Sequence, residues 1–195
     1  CTLRDGSYIV DSNFGTSAIK GIINKLQEAN VDIIECGWFK DKEHTEGSAF
    51  FHVPSDVIPY IQNKKQGTLY VAMIDWNRYN LDNLPMYDNQ SIDAIRVVFP
   101  HGKHKEGIAV GNEIRKKGYN VCYQAANTLA YSDEDLVNLA NDVNKTDAKS
   151  LSIVDTFGAM YDEDLDRIVK ILHRELNPEI LLGLHTHNNQ QLAFS

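Results

Sequence analysis

A parallel α/β fold is what this sequence predicts, on three observations. Short apolar runs of strand length recur along its 195 residues, helical patterns fill most of the gaps, and polar residues collect where the runs end. Strands that alternate with helices are carried back by a crossover and laid down parallel, whereas hairpins would pair them antiparallel.

The first run follows Cys1 as Thr2-Leu3 and enters Arg4-Asp5-Gly6: a cation, a carboxylate, and a glycine able to bend sharply out of a strand. An amphipathic helix is expected over 17–29, with Ile19, Ile22, Ile23 and Leu26 on one stripe. Val31 to Cys36 reads as a strand, and a polar loop from Trp38 to about Val53 is long enough to serve a site. Residues 54–66 read as a helix, 68–74 as a strand, 75–90 as turns, and 92–99 as a strand ended by Pro100. A helix over 105–117 stops at Gly118, and a strand covers 120–126. Ser132 N-caps a helix carrying Leu136, Leu139, Ala140 and Val143. Residues 150–154 form a strand, and 162–176 a helix with Leu165, Ile168, Val169 and Leu172 inward. Asn177-Pro178 breaks the chain before a last strand over 180–184.

Seven strand-like segments result. Asp5, Glu35, Asp75, Gln124, Asp155 and His185 all fall at or just past their C-terminal ends. Chemistry spread over so many strand ends favours a TIM (β/α)8-type barrel over an open sheet. No Gly-x-Gly-x-x-Gly follows the first strand, which weakens a dinucleotide-binding reading. A full barrel takes eight strands and about 250 residues. The expectation is therefore an incomplete barrel of about seven strands, the eighth missing, in a single domain over 1–195 truncated at both ends. Open edges at strands one and seven would invite pairing, including homo-oligomer formation.

Composition narrows the function classes. A formal charge of −8 with scattered basic residues argues against nucleic acid, whose phosphates demand a basic face. No stretch approaches the ~18 apolar residues of a membrane helix, and no signal peptide opens the chain. Cys1, Cys36 and Cys122 show neither a Cys-x-x-Cys spacing nor a disulfide framework, so a cytoplasmic location is expected.

The chemistry is concentrated at the two ends. His185 and His187 lie at i and i+2, so on a strand both imidazoles face one side and could share an ion. Asp5 would complete a first shell of two histidines and one carboxylate. The alternative is a pair of histidines bonded to backbone, and for Arg4-Asp5 a solvated ion pair. Glu35, buried among Ile33, Ile34 and Cys36, needs a partner such as Arg4, in a site or in a structural salt bridge. Asp155 either faces the site or caps the turn at Gly158. Arg96 would bind a substrate carboxylate or close a core ion pair. Gln124 is a candidate substrate contact, and the Tyr8 hydroxyl a candidate proton donor. His44, His52, His101 and His104 fall in loops, where solvation is the default, and His173 sits on a helix.

Three motifs in order carry a resemblance: Thr2-Leu3-Arg4-Asp5-Gly6, Asp155-Thr156-Phe157-Gly158 and His185-Thr186-His187-Asn188. Together they resemble the DRE-TIM metallolyase superfamily, which includes hydroxymethylglutaryl-CoA lyase, 4-hydroxy-2-oxovalerate aldolase, and the isopropylmalate and homocitrate synthases. The resemblance implies a divalent metal, Mn²⁺ or Mg²⁺, bound by Asp5, His185 and His187. It also implies cleavage or formation of a carbon–carbon bond beside a carbonyl through a metal-stabilised enolate, with Arg4 steadying the enolate oxygen. Glu35 and Asp155 match acidic positions of the inner shell. A 2-keto acid is the implied substrate, with the oxovalerate aldolase branch the nearest. The alternatives are an acyl-CoA-dependent Claisen-type synthase, or a catalytically inactive barrel fragment that binds metal or a partner. The sequence departs from the aldolases at Ser7-Tyr8, where they carry a histidine base. The lyase cysteine and the strand-eight residues would lie beyond Ser195.

Overall fold

A computed structural model describes residues 2–61 and 63–192. Four α-helices run over Thr16–Glu28 (α1), His104–Lys116 (α2), Asp133–Val143 (α3) and Asp162–Glu175 (α4). Seven strands run over Ile33–Phe39 (β1), Phe50–Phe51 (β2), Leu69–Asp75 (β3), Ala94–Phe99 (β4), Asn120–Ala125 (β5), Ser150–Val154 (β6) and Leu181–His185 (β7). They form one sheet in the order β2-β1-β3-β4-β5-β6-β7. The pairs β1–β2, β1–β3, β5–β6 and β6–β7 are parallel. This is the expected α/β architecture, an incomplete barrel of the TIM type. Among the described residues no helix is long and apolar enough to cross a membrane.

The strand count agrees with expectation, but one strand is a different one. Residues 2–5 form turns and Gly6–Ile9 a 3-10 helix, so the strand expected at Thr2-Leu3 is absent. The Arg-Asp-Gly-Ser run closes on itself and turns the chain away from a strand: Ser7 Oγ donates to the Arg4 carbonyl at 2.6 Å. Cys1, where that strand was to begin, lies outside the described residues. The seventh strand comes instead from the region read as polar loop, where Phe50 and Phe51 pair with Trp38 and Phe39. The edge strands are therefore β2 and β7, and β2 is only two residues long.

Gly37 makes that pairing possible. Its φ is +150°, the β1–β3 register shifts between Glu35 and Gly37, and a Cβ there would come 2.1 Å from the Ala49 carbonyl oxygen. Any side chain would push the chain leading into β2 away from β1.

Residues 54–66 also differ from expectation: Pro54–Tyr60 is a 3-10 helix and no α-helix follows. Pro59 has no N–H to donate and its ring blocks an α-helical ladder. Asp56 holds the entry by accepting from the backbone nitrogens of His52 and Val53 at 2.9 and 3.0 Å. The helices α1 to α4 fall within a residue of their predicted spans.

The chain divides into two compact units. One runs to Arg96 and takes in Ile114–Asn120; the other comprises Val97–Glu113 and continues from Val121. In the first, α1 buries Ile19 and Ile23 completely, beside Ile34, Cys36 and Tyr70. In the second, Leu136, Leu139, Ala140 and Val143 of α3 are fully buried, as are Ile168 of α4 and Leu151 of β6.

Candidate active site

In the first unit the site grows from one carboxylate. Glu35, on β1, is 4% exposed, and a carboxylate so far from water needs cations. It has two. Arg4 Nε donates to Oε2 at 3.0 Å and Arg96 Nη1 to Oε1 at 3.0 Å. Burial pushes the Glu35 carboxyl up, but the two guanidiniums outweigh it and hold the group below its usual range. Arg4 also donates from Nη1 to Asp5 Oδ1 at 2.8 Å. Two edges of the guanidinium fork are thus fixed, while Nη2 is buried with no hydrogen-bond partner among the described residues. Trp38 backs this group, donating from Nε1 to the Arg4 carbonyl at 3.3 Å with its ring 5.7 Å from Arg4 Cζ.

The remaining sequence candidates of this unit fall on either side. Arg96 closes the core ion pair that was one of its two readings, yet its Nε is buried and unsatisfied among the described residues. Tyr8 is 69% exposed and meets Trp38 edge-on at 6.4 Å, and burial of its hydroxyl raises the pKa from the usual value.

In the second unit the end of β7 carries the histidines. The His185 and His187 rings lie 5.0 Å apart and nearly perpendicular. Nδ1 of His187 lies 2.8 Å from the Asp155 carbonyl oxygen. A carbonyl only accepts, so Nδ1 carries the proton, which makes Nε2 the acceptor nitrogen of the neutral ring. The Asp155 carboxylate is engaged elsewhere, accepting from the backbone nitrogens of Ala159 and Met160 at 2.9 and 3.3 Å. It caps the turn after β6, the structural one of its two readings. Gln124, on β5, is 2% exposed and its amide nitrogen has no partner among the described residues.

His185 and His187, both half-buried, are two of the three metal ligands that the resemblance implies; the third, Asp5, is half-buried in the first unit. One carboxylate and two neutral imidazoles are a fitting donor set for a hard-to-borderline divalent ion. Of the four histidines expected in loops, His104 instead opens α2, and all four have protein partners. His44 contacts the Phe50 carbonyl, His52 the Lys40 carbonyl, His101 pairs with Asp135 and His104 with Asp142.

Two groups escaped sequence reasoning. Trp38, expected to open a polar loop, lies inside β1. Lys40 sits with its ammonium 3.5 Å from the centre of the Phe50 ring, a contact that exists only because β2 pairs with β1.

The parallel α/β sheet, with His185 ending β7 and a buried Arg4–Glu35–Arg96 chain at β1, is of the TIM-barrel class. Residues 103–195 match the HMGL-like family model. The chain is 26% identical over 209 residues to 4-hydroxy-2-oxovalerate aldolase 2 of Comamonas testosteroni, a match spanning 100% of the chain and 56% of that relative. It is 21% identical over 201 residues to oxaloacetate decarboxylase of Mycobacterium tuberculosis, covering 98% of the chain and 56% of that relative. The fold superimposes on the Bacillus subtilis HMG-CoA lyase with a TM-score of 0.72 at 17% identity, over 97% of this chain and 67% of that one. The chain thus spans about half the length of the curated relatives it matches. In its motifs, in the family model over residues 103–195 and in these relatives, the chain is similar to the DRE-TIM metallolyase superfamily. That superfamily generally uses a divalent metal.

Proposed function

We propose that this chain carries the principal groups of a divalent-metal-dependent carbon–carbon lyase of the aldolase type, acting on a 2-keto acid as a 4-hydroxy-2-oxovalerate aldolase does. The observation that carries the reading is Arg4: Glu35 and Asp5 fix two edges of its fork and one buried donor remains unspent. Breaking a bond beside a carbonyl leaves negative charge on the carbonyl oxygen, and a preorganised, desolvated guanidinium donor stabilises that charge as it develops. By the resemblance of the three motifs, Asp5, His185 and His187 would hold the ion, which as a Lewis acid would supply polarisation of the keto oxygen.

Each remaining candidate then has a role. Glu35 is a positioning residue, orienting Arg4. The Asp155 carbonyl holds the His187 tautomer, and its carboxylate shapes the turn beside it. Arg96 Nε and the Gln124 amide offer unsatisfied donors suited to the substrate carboxylate. The Tyr8 hydroxyl, held protonated by its raised pKa, is the proton donor for the departing fragment.

The test is exchange of pyruvate methyl protons in deuterated water by the full-length protein with Mn²⁺ or Mg²⁺, followed by NMR. Metal-dependent exchange that Arg4→Met slows by at least about 100-fold is the expected result. Exchange independent of metal, or indifferent to Arg4→Met, sinks the reading.

A further inference from the structure

Beyond Arg4, past Trp38, the first unit encloses a cavity of about 390 Å³ that the proposed chemistry uses only through Tyr8. Its wall is aromatic and its charges are unevenly engaged. Lys40 rests its ammonium over the Phe50 ring at 3.5 Å and 5.9 Å from the Trp38 ring, with no carboxylate in salt-bridge contact. Arg78, largely exposed, stands 3.8 Å from Asp75, beyond hydrogen-bonding distance, and its guanidinium makes no side-chain hydrogen bond or other ion pair among the described residues. Asp41, by contrast, is occupied. It accepts from the Asn80 backbone nitrogen and from Asn83 Nδ2, both at 2.9 Å.

Three cations, Lys40, Lys42 and Arg78, therefore line the cavity against two carboxylates, the occupied Asp41 and the partly buried Asp75. Aromatic faces hold the lysine in place without neutralising it. Partial burial lowers the Lys40 pKa, with Asp75 opposing, and the Lys40 residue as a whole stays exposed. Trp38 joins the cavity to the reacting end, since the same indole contacts the Arg4 carbonyl.

We propose that this cavity receives the second carbonyl compound of the reaction and selects one bearing a carboxylate, held by Lys40 and Arg78. This rests on the aldolase reading above and assigns its substrate class: an anionic aldehyde, where the acceptor could otherwise be any neutral one. A carboxylate against an ammonium and a guanidinium, on an aromatic wall that slows water exchange, gives charge-assisted contacts a neutral aldehyde cannot make.

The experiment compares kcat/KM for condensation of pyruvate with succinic semialdehyde and with propionaldehyde, using the full-length protein, Lys40→Met and Arg78→Met. The wild type should favour the charged aldehyde at least 10-fold, and each variant should cut that ratio 10-fold or more. A wild-type ratio near one, or a ratio unmoved by both variants, overturns the proposal. If the wild type neither condenses nor exchanges pyruvate protons, the aldolase reading fails, and the cavity is judged by tryptophan fluorescence titration with succinate. Weakening of succinate binding by 10-fold or more in Lys40→Met and Arg78→Met then sustains an anion subsite. Equal binding in all three proteins, or none, removes it.

Discussion

Glu35 has two guanidinium partners and almost no water, so the consequences of altering it are set by what it would leave behind. Glu35→Gln keeps the shape but strands Arg4 and Arg96 as buried, half-compensated cations. We expect a loss of about 3–5 kcal/mol in urea unfolding at pH 7. The pH dependence follows from the depressed folded-state pKa. The unfolded glutamate titrates near about 4.3, so this contribution is fully present above that value. It is lost as pH falls through the lower folded pKa. Thermal melts from pH 6 down to 3 should show an acid-side loss in the wild type that is smaller in Glu35→Gln. Equal acid limbs would show that Glu35 does not govern it. At this scale the sequence showed that Glu35 needed a cation and named Arg4. It could not show that Arg96, 61 positions away, would take the second oxygen.

At the scale of elements, α3 and α2 illustrate opposite kinds of legibility. Ser132 was visible as an N-cap, and the structure closes the full capping box. Ser132 Oγ accepts from the Asp135 backbone nitrogen at 3.1 Å while the Asp135 carboxylate accepts from the Ser132 nitrogen at 3.0 Å. These bonds hold the Asp135 carboxyl down to about 2. Ser132→Ala should therefore cost about 1 kcal/mol in chemical denaturation, with no change in metal binding. In α2 the informative residue gave no signal. Gly107 looks like a weak point in a helix, yet a Cβ there would meet the Phe99 ring at 2.3 Å. Helix propensity predicts that Gly107→Ala stabilises by up to about 1 kcal/mol. Packing predicts a loss of about 1–3 kcal/mol instead. The ring is fully buried and has nowhere to go, so the packing term should win, and urea unfolding of Gly107→Ala decides between them.

For the whole molecule, the proposed ion is the lever on stability. A ligand that binds only the folded state adds RT ln(1 + [L]/Kd), about 2.7 kcal/mol at one hundred times Kd. Saturating Mn²⁺ should raise the unfolding free energy of the full-length protein by that order. Asp5→Asn and His187→Ala should each abolish the increment, as followed by calorimetry with and without chelator. An increment that survives both variants would assign the ion to other ligands. Cys36 and Cys122 are buried within the two units, and burial drives the Cys36 thiol up to about 12. Neither takes part in a site, as their apolar neighbours in the sequence implied.

The sequence alone determined the period of the chain. Each apolar run of strand length and each 3.6-residue stripe is a local property, so the α/β alternation, the four helices and the HxH strand end could be read directly. It also placed Asp75, Asp155 and His185 at strand ends, whereas Arg4 and Asp5 sit in a turn and Glu35 and Arg96 lie inside β1 and β4. Only the tertiary structure decided which runs pair. Thr2-Leu3 lost its place in the sheet to Phe50-Phe51, since Gly37 admits the second pair to β1 while Ser7 folds the first into a turn. It likewise decided that Asp155 acts through its carbonyl, that Arg4 keeps one donor in reserve, and that Lys40 lies on aromatic rings. Those outcomes depend on contacts between residues far apart in the chain, where no periodicity carries information.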